Sequence, residues 1–167
     1  MRLLIVRHAE AVPADAAGVR DRDRPLTANG EHVFRAAAKG LALRLPAPDV
    51  LLASPLLRAR QTATLLAVAW GDVVVTPEAA LASGSVDAIL AAILAAAAAA
   101  GANRHDPTIA VVGHEPTVSA LLAGLVGAEA RGFSPGAAAL VETGSAAQRA
   151  ARLVWFLSPE AAAESSR

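Results

Sequence analysis

Apolar residues fall along this chain in short unbroken runs that alternate with helical stripes. Leu3-Leu4-Ile5-Val6 is such a run, the pattern of a strand buried on both faces, and it stops at Arg7, His8 and Glu10. Residues 11–25 show no period. Asp15, Asp21 and Asp23 are interspersed there with Arg20, Arg22 and Arg24, which reads as a long charged loop. Thr27 then stands as a helix N-cap before Val33, Phe34, Ala37 and Leu41 at helical spacing, and Pro46 and Pro48 close that helix. Residues 49–53 read as a second strand. Ser54 and Pro55 follow as the expected N-cap and first residue of a helix to about Trp70, with Leu57, Leu65, Leu66 and Val68 available to the core and Gly71 as the stop.

Residues 73–75 form a short expected strand before Pro77. Ser85 is placed to cap a third helix, in which Val86, Ile89, Leu90, Ile93 and Leu94 match the amphipathic template. An alanine tract extends that helix to Gly101. Residues 108–112 are a further buried strand, with Gly113-His114-Glu115-Pro116 at its carboxyl end. A helix through Leu121, Leu122 and Leu125 follows. Residues 137–141 and 153–157 read as closing strands, paired as a hairpin around Gly144. The alternation predicts an α/β fold in three layers, with a mainly parallel central sheet flanked by helices. No linker or repeat divides the chain. It reads as a single domain over residues 1–158 with a frayed C-terminal tail over 159–167.

Composition narrows the chemistry. The 167 residues carry 15 basic and 15 acidic side chains, so net charge implies neither a nucleic-acid nor a membrane partner. Lys39 is the single lysine against 14 arginines, a bias that discounts arginine abundance as a signal. With no cysteine, disulfides and thiolate metal sites are excluded. The first apolar run reaches Arg7 too soon for a signal-peptide core, and a soluble, cytoplasmic protein is expected.

In a parallel sheet the carboxyl ends of the strands share one edge. That edge gathers Arg7 and His8, then Ser54 with Arg58 one helical turn on, then His114. Arginine forks bind phosphate oxygens in pairs, and a neutral imidazole is a nucleophile or an acid and base. The set suits a dianionic phosphoryl group. A metal is not expected, because the arginines would repel the cation and no carboxylate–histidine ligand pattern is present. No cofactor is implied.

These residues resemble the histidine phosphatase superfamily, the phosphoglycerate mutase-like proteins, and within it the small SixA phosphohistidine phosphatases. The resemblance rests on Leu4-Ile5-Val6-Arg7-His8-Ala9-Glu10-Ala11, on Asp23-Arg24-Pro25-Leu26-Thr27-Ala28-Asn29-Gly30, on Ala53-Ser54-Pro55-Leu56-Leu57-Arg58-Ala59-Arg60-Gln61-Thr62-Ala63, and on Val111-Val112-Gly113-His114-Glu115-Pro116, in that order. It implies His8 as a nucleophile that forms a phosphohistidine intermediate, and Arg7, Arg58 and His114 as the phosphate pocket. Gly113 would let backbone approach the phosphate. Asn29 and Gly30 are expected to serve the turn, and Arg24 to bridge the loop, with pairing to the substrate as its alternative. The family's general acid commonly follows the strand after the second helix, which points to Glu78, with Asp21, Asp23, Glu10 and Glu115 as rivals. One helix and two turns are expected to fill residues 78–106, so the cap over the site is expected to be minimal. An open site favours phosphohistidine or another protein-borne phosphoryl group over a small phosphate ester such as a sugar phosphate. A catalytically silent phosphate-binding module is the alternative of another class. The sequence indicates no oligomeric state.

Overall fold

The structure, a computed structural model, describes residues 1–15, 18–101, 106–127, 131–143 and 151–164. Six strands form one sheet in the order β3-β2-β4-β1-β5-β6. They are β1 (Arg2–Arg7), β2 (Val50–Ala53), β3 (Val75–Pro77), β4 (Thr108–Gly113), β5 (Ala138–Glu142) and β6 (Arg152–Leu157). β3, β2, β4 and β1 run parallel, whereas β5 is antiparallel to both β1 and β6. The expected closing strands are thus present and paired, and the turn around Gly144 lies outside the described residues.

The apolar runs of the sequence serve two cores. Along β1, Leu4 and Val6 face α1 (Ala28–Arg44) and α2 (Leu57–Ala69), while Leu3 and Ile5 face α4 (Val86–Gly101) and α5 (Thr117–Val126). The same alternation splits Ala110 and Val112 from Ile109 and Val111 in β4. Side chains of successive strand residues point to opposite faces, so a central strand covered on both sides must be apolar throughout. Three layers result.

Alanine decides the helix faces. In α2 the buried face is Ala59, Ala63, Leu66 and Ala67 together with Arg58 and Thr62. Val68, expected in the core, is 57% exposed, and Leu94 in α4 is 60% exposed. Where the helix packs close to its neighbour, small residues fill the contact and the larger ones turn outward. Thr27 caps α1 by accepting from the Gly30 amide at 2.9 Å, and Ser85 accepts from the Ala88 amide at 3.2 Å, both as expected. A Cβ on Gly30 would lie 2.2 Å from the Glu10 carbonyl oxygen, so this glycine lets the start of α1 press on the segment that follows β1.

Two expectations are corrected. The chain does not fray after Pro159: Pro159–Ala163 is a short helix, α6, capped by the Ser158 hydroxyl, with Pro159 and Ala162 buried. It packs on α1 so closely that a Cβ on Gly40 would lie 1.8 Å from the Ala162 carbonyl oxygen. The third strand also falls later than expected, at Val75–Pro77, and a short helix α3 (Ala80–Ser83) follows it.

Candidate active site

Sheet register brings the site together. Arg7 pairs with Gly113 across β1 and β4, and Ala53 pairs with Val112 across β2 and β4. The next residue of each strand is therefore level with its neighbours. The His8 amide donates to the Gly113 carbonyl at 3.0 Å and the Ser54 amide to the Val112 carbonyl at 3.0 Å. His8 and His114 end with ring centroids 5.0 Å apart, tilted by 54°.

His8 Nδ1 lies 2.7 Å from the Ala9 carbonyl oxygen. A carbonyl only accepts, so Nδ1 carries the proton and Nε2 keeps its lone pair. The Ala9 carbonyl is the tautomer-setting acceptor that the sequence does not reveal. Burial, with Arg58, Arg7 and Arg24 nearby, lowers the pKa of His8 to about 4 despite the opposing bond to Ala9. The imidazole is therefore neutral at physiological pH.

His114 is 8% exposed and its Nε2 lies 2.7 Å from the Ser54 hydroxyl. Its Nδ1 is buried with no protein partner among the described residues. Burial first, then His8 and Arg58, lower its pKa to about 3. Ser54 is fully buried and does not cap α2, which begins at Leu57 with Leu56 as its N-cap. Instead the Ser54 oxygen takes the Leu56 amide at 3.4 Å and holds His114. This corrects the expected cap.

Three arginines complete the floor. Arg7 Nη1 donates to the Phe133 carbonyl. Arg58, 6% exposed, donates through Nη1 to the Asp21 carbonyl at 2.7 Å and through Nη2 to Asp21 Oδ2 at 3.4 Å. Arg24 donates to the Val12 carbonyl at 2.8 Å and to Asp21 Oδ1 at 2.9 Å. It thus bridges the loop as expected, yet it also lines the cavity with Arg7, His8, Arg58 and His114. The Nε atoms of Arg7 and Arg58 are buried without partners among the described residues. Thr62, fully buried, accepts from the Ala9 amide at 3.0 Å and donates to the Arg58 carbonyl at 2.7 Å, so one hydroxyl ties the segment after His8 to the helix that carries Arg58. Sequence reasoning passed over Thr62. The available signal was its place one turn after Arg58, on the same face of the helix.

The cavity these residues enclose measures about 280 Å³. Glu10, Glu115 and Pro135 form its wall. Glu10 and Pro135 also border an adjoining cleft of about 350 Å³ that reaches α6 at Glu160.

The candidate acids divide between the cavity wall, which holds Glu10 and Glu115, and places outside its lining. Glu78 follows the edge strand β3, three strand spacings or ~14 Å of sheet from β1. Its Oε1 accepts from the Ala80 amide at 2.9 Å, and it is not among the cavity's lining residues. Asp21 is held below the usual carboxylate range, chiefly by its hydrogen bond from Arg24. Asp23 pairs with Arg20 at 2.6 Å. Glu10 accepts from the Asn29 amide group at 2.9 Å, and Glu115 from Ser119 and the Phe133 amide. Gly113, expected to let backbone approach the phosphate, also has a packing role. It is buried in β4, and a Cβ there would meet Val118 at 3.1 Å and Leu81 at 3.7 Å, so its bareness serves packing beneath the site.

Comparison with known proteins identifies relatives of the chain and of its fold. The family model of the Histidine phosphatase superfamily (branch 1) matches residues 3–85. The structure of the protein histidine phosphatase SixA complexed with tungstate superposes with a TM-score of 0.80 at 29% identity, covering 95% of this chain and 97% of that one. A protein from Nakamurella multipartitia described as a SixA phosphohistidine phosphatase gives 0.73 at 34% identity, covering 95% of each chain. A mycobacterial glucosyl-3-phosphoglycerate phosphatase gives 0.71 at 21% identity over 94% of this chain and 99% of that one, a likeness of fold. Among curated proteins no significant match is found. No described helix is long and apolar enough to cross a membrane.

Proposed function

The chain belongs to the histidine phosphatase superfamily, and from that premise we propose that it is a phosphatase acting through His8 on protein-borne phosphoryl groups, phosphohistidine foremost. The observation that carries this reading is the state of His8: neutral, proton on Nδ1 against the Ala9 carbonyl, and Nε2 free beside a floor of arginines. Nε2 attacks phosphorus, the bond from phosphorus to the leaving group breaks, and the leaving atom takes up a proton. Water then attacks the phosphohistidine, the N–P bond breaks, and Nε2 recovers its lone pair. Arg7, Arg58 and Arg24 offset the charge on the phosphoryl oxygens in flight. His114 adds a donor at Nδ1 when the Ser54 hydroxyl donates to its Nε2, the tautomer an anion in the cavity selects. A module that only bound phosphate would not need an imidazole with one nitrogen held free.

The leaving group decides between substrates. An ester oxygen needs a proton from a carboxyl, whereas the nitrogen of a phosphoramidate accepts one more readily. Glu78 holds the Ala80 amide through Oε1 and is not among the cavity's lining residues. The SixA relatives at 29% and 34% identity point the same way. A second reading, hydrolysis of small phosphate esters, is favoured by Glu10 and Glu115 in the cavity wall.

A side-by-side assay on a phosphohistidine protein, an aryl phosphate and a panel of sugar phosphates tests the proposal, with an alkaline quench to trap labelled His8. The expected result is preference for the phosphohistidine protein and a base-stable, acid-labile label lost in His8→Ala. Preference for a sugar phosphate would transfer the function to the second reading. Turnover retained by His8→Ala would remove the nucleophile.

A further inference from the structure

Glu115 stands in the cavity wall, but the bonds of its Oε1 run away from the cavity. That oxygen accepts from the Phe133 amide at 2.6 Å and from the Ser119 hydroxyl at 2.6 Å. Ser119 Oγ also lies 2.9 Å from the Arg131 carbonyl, so the same hydroxyl reaches both ends of the 131–133 segment's anchorage. Phe133 and Ser119 are buried, at 2% and 6% exposed. The other polar atom of the Phe133 backbone, its carbonyl oxygen, accepts from Arg7 Nη1. One residue is therefore gripped at its amide by the β4 end and grips, at its carbonyl, the guanidinium of the β1 end. Its ring adds a third anchor, packed edge-on against Phe156 at 4.7 Å.

Arg7 has little else to hold it. Its Nε is buried without a partner and, among the described residues, it forms no salt bridge. Arg58 and Arg24 differ, since both bond to Asp21. The orientation of Arg7 rests on one carbonyl, and the place of that carbonyl rests on Glu115.

We propose that Glu115 is a positioning residue for Arg7, acting through Phe133 to set the guanidinium at the phosphate cavity. The inference rests on the phosphate-site reading above and deepens it. It opposes the simpler expectation for a carboxylate in an anion site. A carboxylate acting directly on the phosphate would repel it, so removing Glu115 would tighten binding. A carboxylate acting through Arg7 would, when removed, weaken it.

A double-mutant cycle with inorganic phosphate as the probe, read by titration calorimetry on the full chain, separates the two. Glu115→Ala is expected to weaken phosphate binding by about tenfold, the worth of one charge-assisted hydrogen bond. Glu115→Gln keeps an oxygen for the Phe133 amide and is expected to stay within about threefold. Arg7→Ala is expected to weaken binding by about a hundredfold, and adding Glu115→Ala to it by less than about twofold more. Should Glu115→Ala not fold, Glu115→Asp replaces it in the cycle, because the shorter side chain withdraws the oxygen from Phe133. Losses that multiply in the double variant, or tighter binding by either Glu115 variant, overturn this inference alone. No phosphate binding by the unmodified protein overturns it together with the phosphate site.

Discussion

The ends of β1 and β4 carry the same residue type at the same level of the sheet, yet the two histidines are tethered by opposite nitrogens. His8 is fixed through Nδ1 by a backbone carbonyl, His114 through Nε2 by a side-chain hydroxyl. The partner's chemistry separates them. A carbonyl can only accept, so it imposes one tautomer and leaves one lone pair always ready. A hydroxyl can donate or accept, so its imidazole adapts to what enters the cavity. Position in the fold brings both rings to one cavity, and the neighbour sets which nitrogen of each is held.

The largest test of that contrast removes each ring in turn. His8→Ala is expected to lower turnover by about 10⁴-fold or more, with no trapped label. His114→Ala is expected to cost only about 10²–10³-fold, the worth of one donor to the transition state, with label still forming on His8. Single-turnover measurements with quenched-flow trapping check both, and equal losses would erase the distinction. Next in size is Ser54→Ala, which strips His114 Nε2 of its partner in a buried site. About a tenfold loss in kcat and ~1–3 kcal/mol of stability are expected from the orphaned nitrogen.

The pH dependence sharpens the comparison further. Both folded-state pKa values, about 4 for His8 and about 3 for His114, lie below the unperturbed 6.5. Between those values the unfolded chain binds protons that the folded chain does not. Stability therefore rises with pH in that window and is lost as pH falls from 6.5 toward 4 and then 3. Each ring contributes a slope of up to ~1.4 kcal/mol per pH unit. Denaturant melts across pH 3–7 check the slope, and the acid limb of kcat/KM is expected near 4 rather than near 6.5. The smallest expected effect belongs to Thr62→Val, which leaves the Ala9 amide without its acceptor while keeping the shape of the side chain. It should lower kcat by about threefold and stability by ~1–2 kcal/mol, because the peptide that carries the His8 tether loosens.

Much of this was legible before any coordinates. Strands buried on both faces are unbroken apolar runs, so the positions where charge interrupts them, at Arg7-His8 and Gly113-His114, could be read directly. The partners could not. Ser54 followed by Pro55 has the local look of a helix start, and only the adjacency of β2 and β4 shows that its hydroxyl belongs to His114. For Arg24 the sequence allowed a loop bridge or a substrate contact, and only the assembled loop shows that one side chain can bridge and still stand in the cavity. Ser158-Pro159 carried a true cap signature that its nearness to the chain end disguised. Val68 misled because α2 buries alanine and leaves this bulkier residue to solvent, and Leu94 because α4 seats only Ile89 and Ile93 fully in the core. Pairings between distant segments and the choice of which face packs closely are properties of the assembled sheet, and local pattern does not contain them.

β3 has a consequence for how copies of the chain meet one another. A sheet edge normally offers a row of unpaired amides and carbonyls on which another strand can settle, the first step toward ribbons of stacked molecules. This edge is three residues long and ends at Pro77, which has no amide hydrogen to offer. Val74 just before it is 79% exposed, a greasy spot that would otherwise invite such a visitor. Too short to template a neighbour and without a donor at its last position, the edge gives crowded copies of the chain little to zip together.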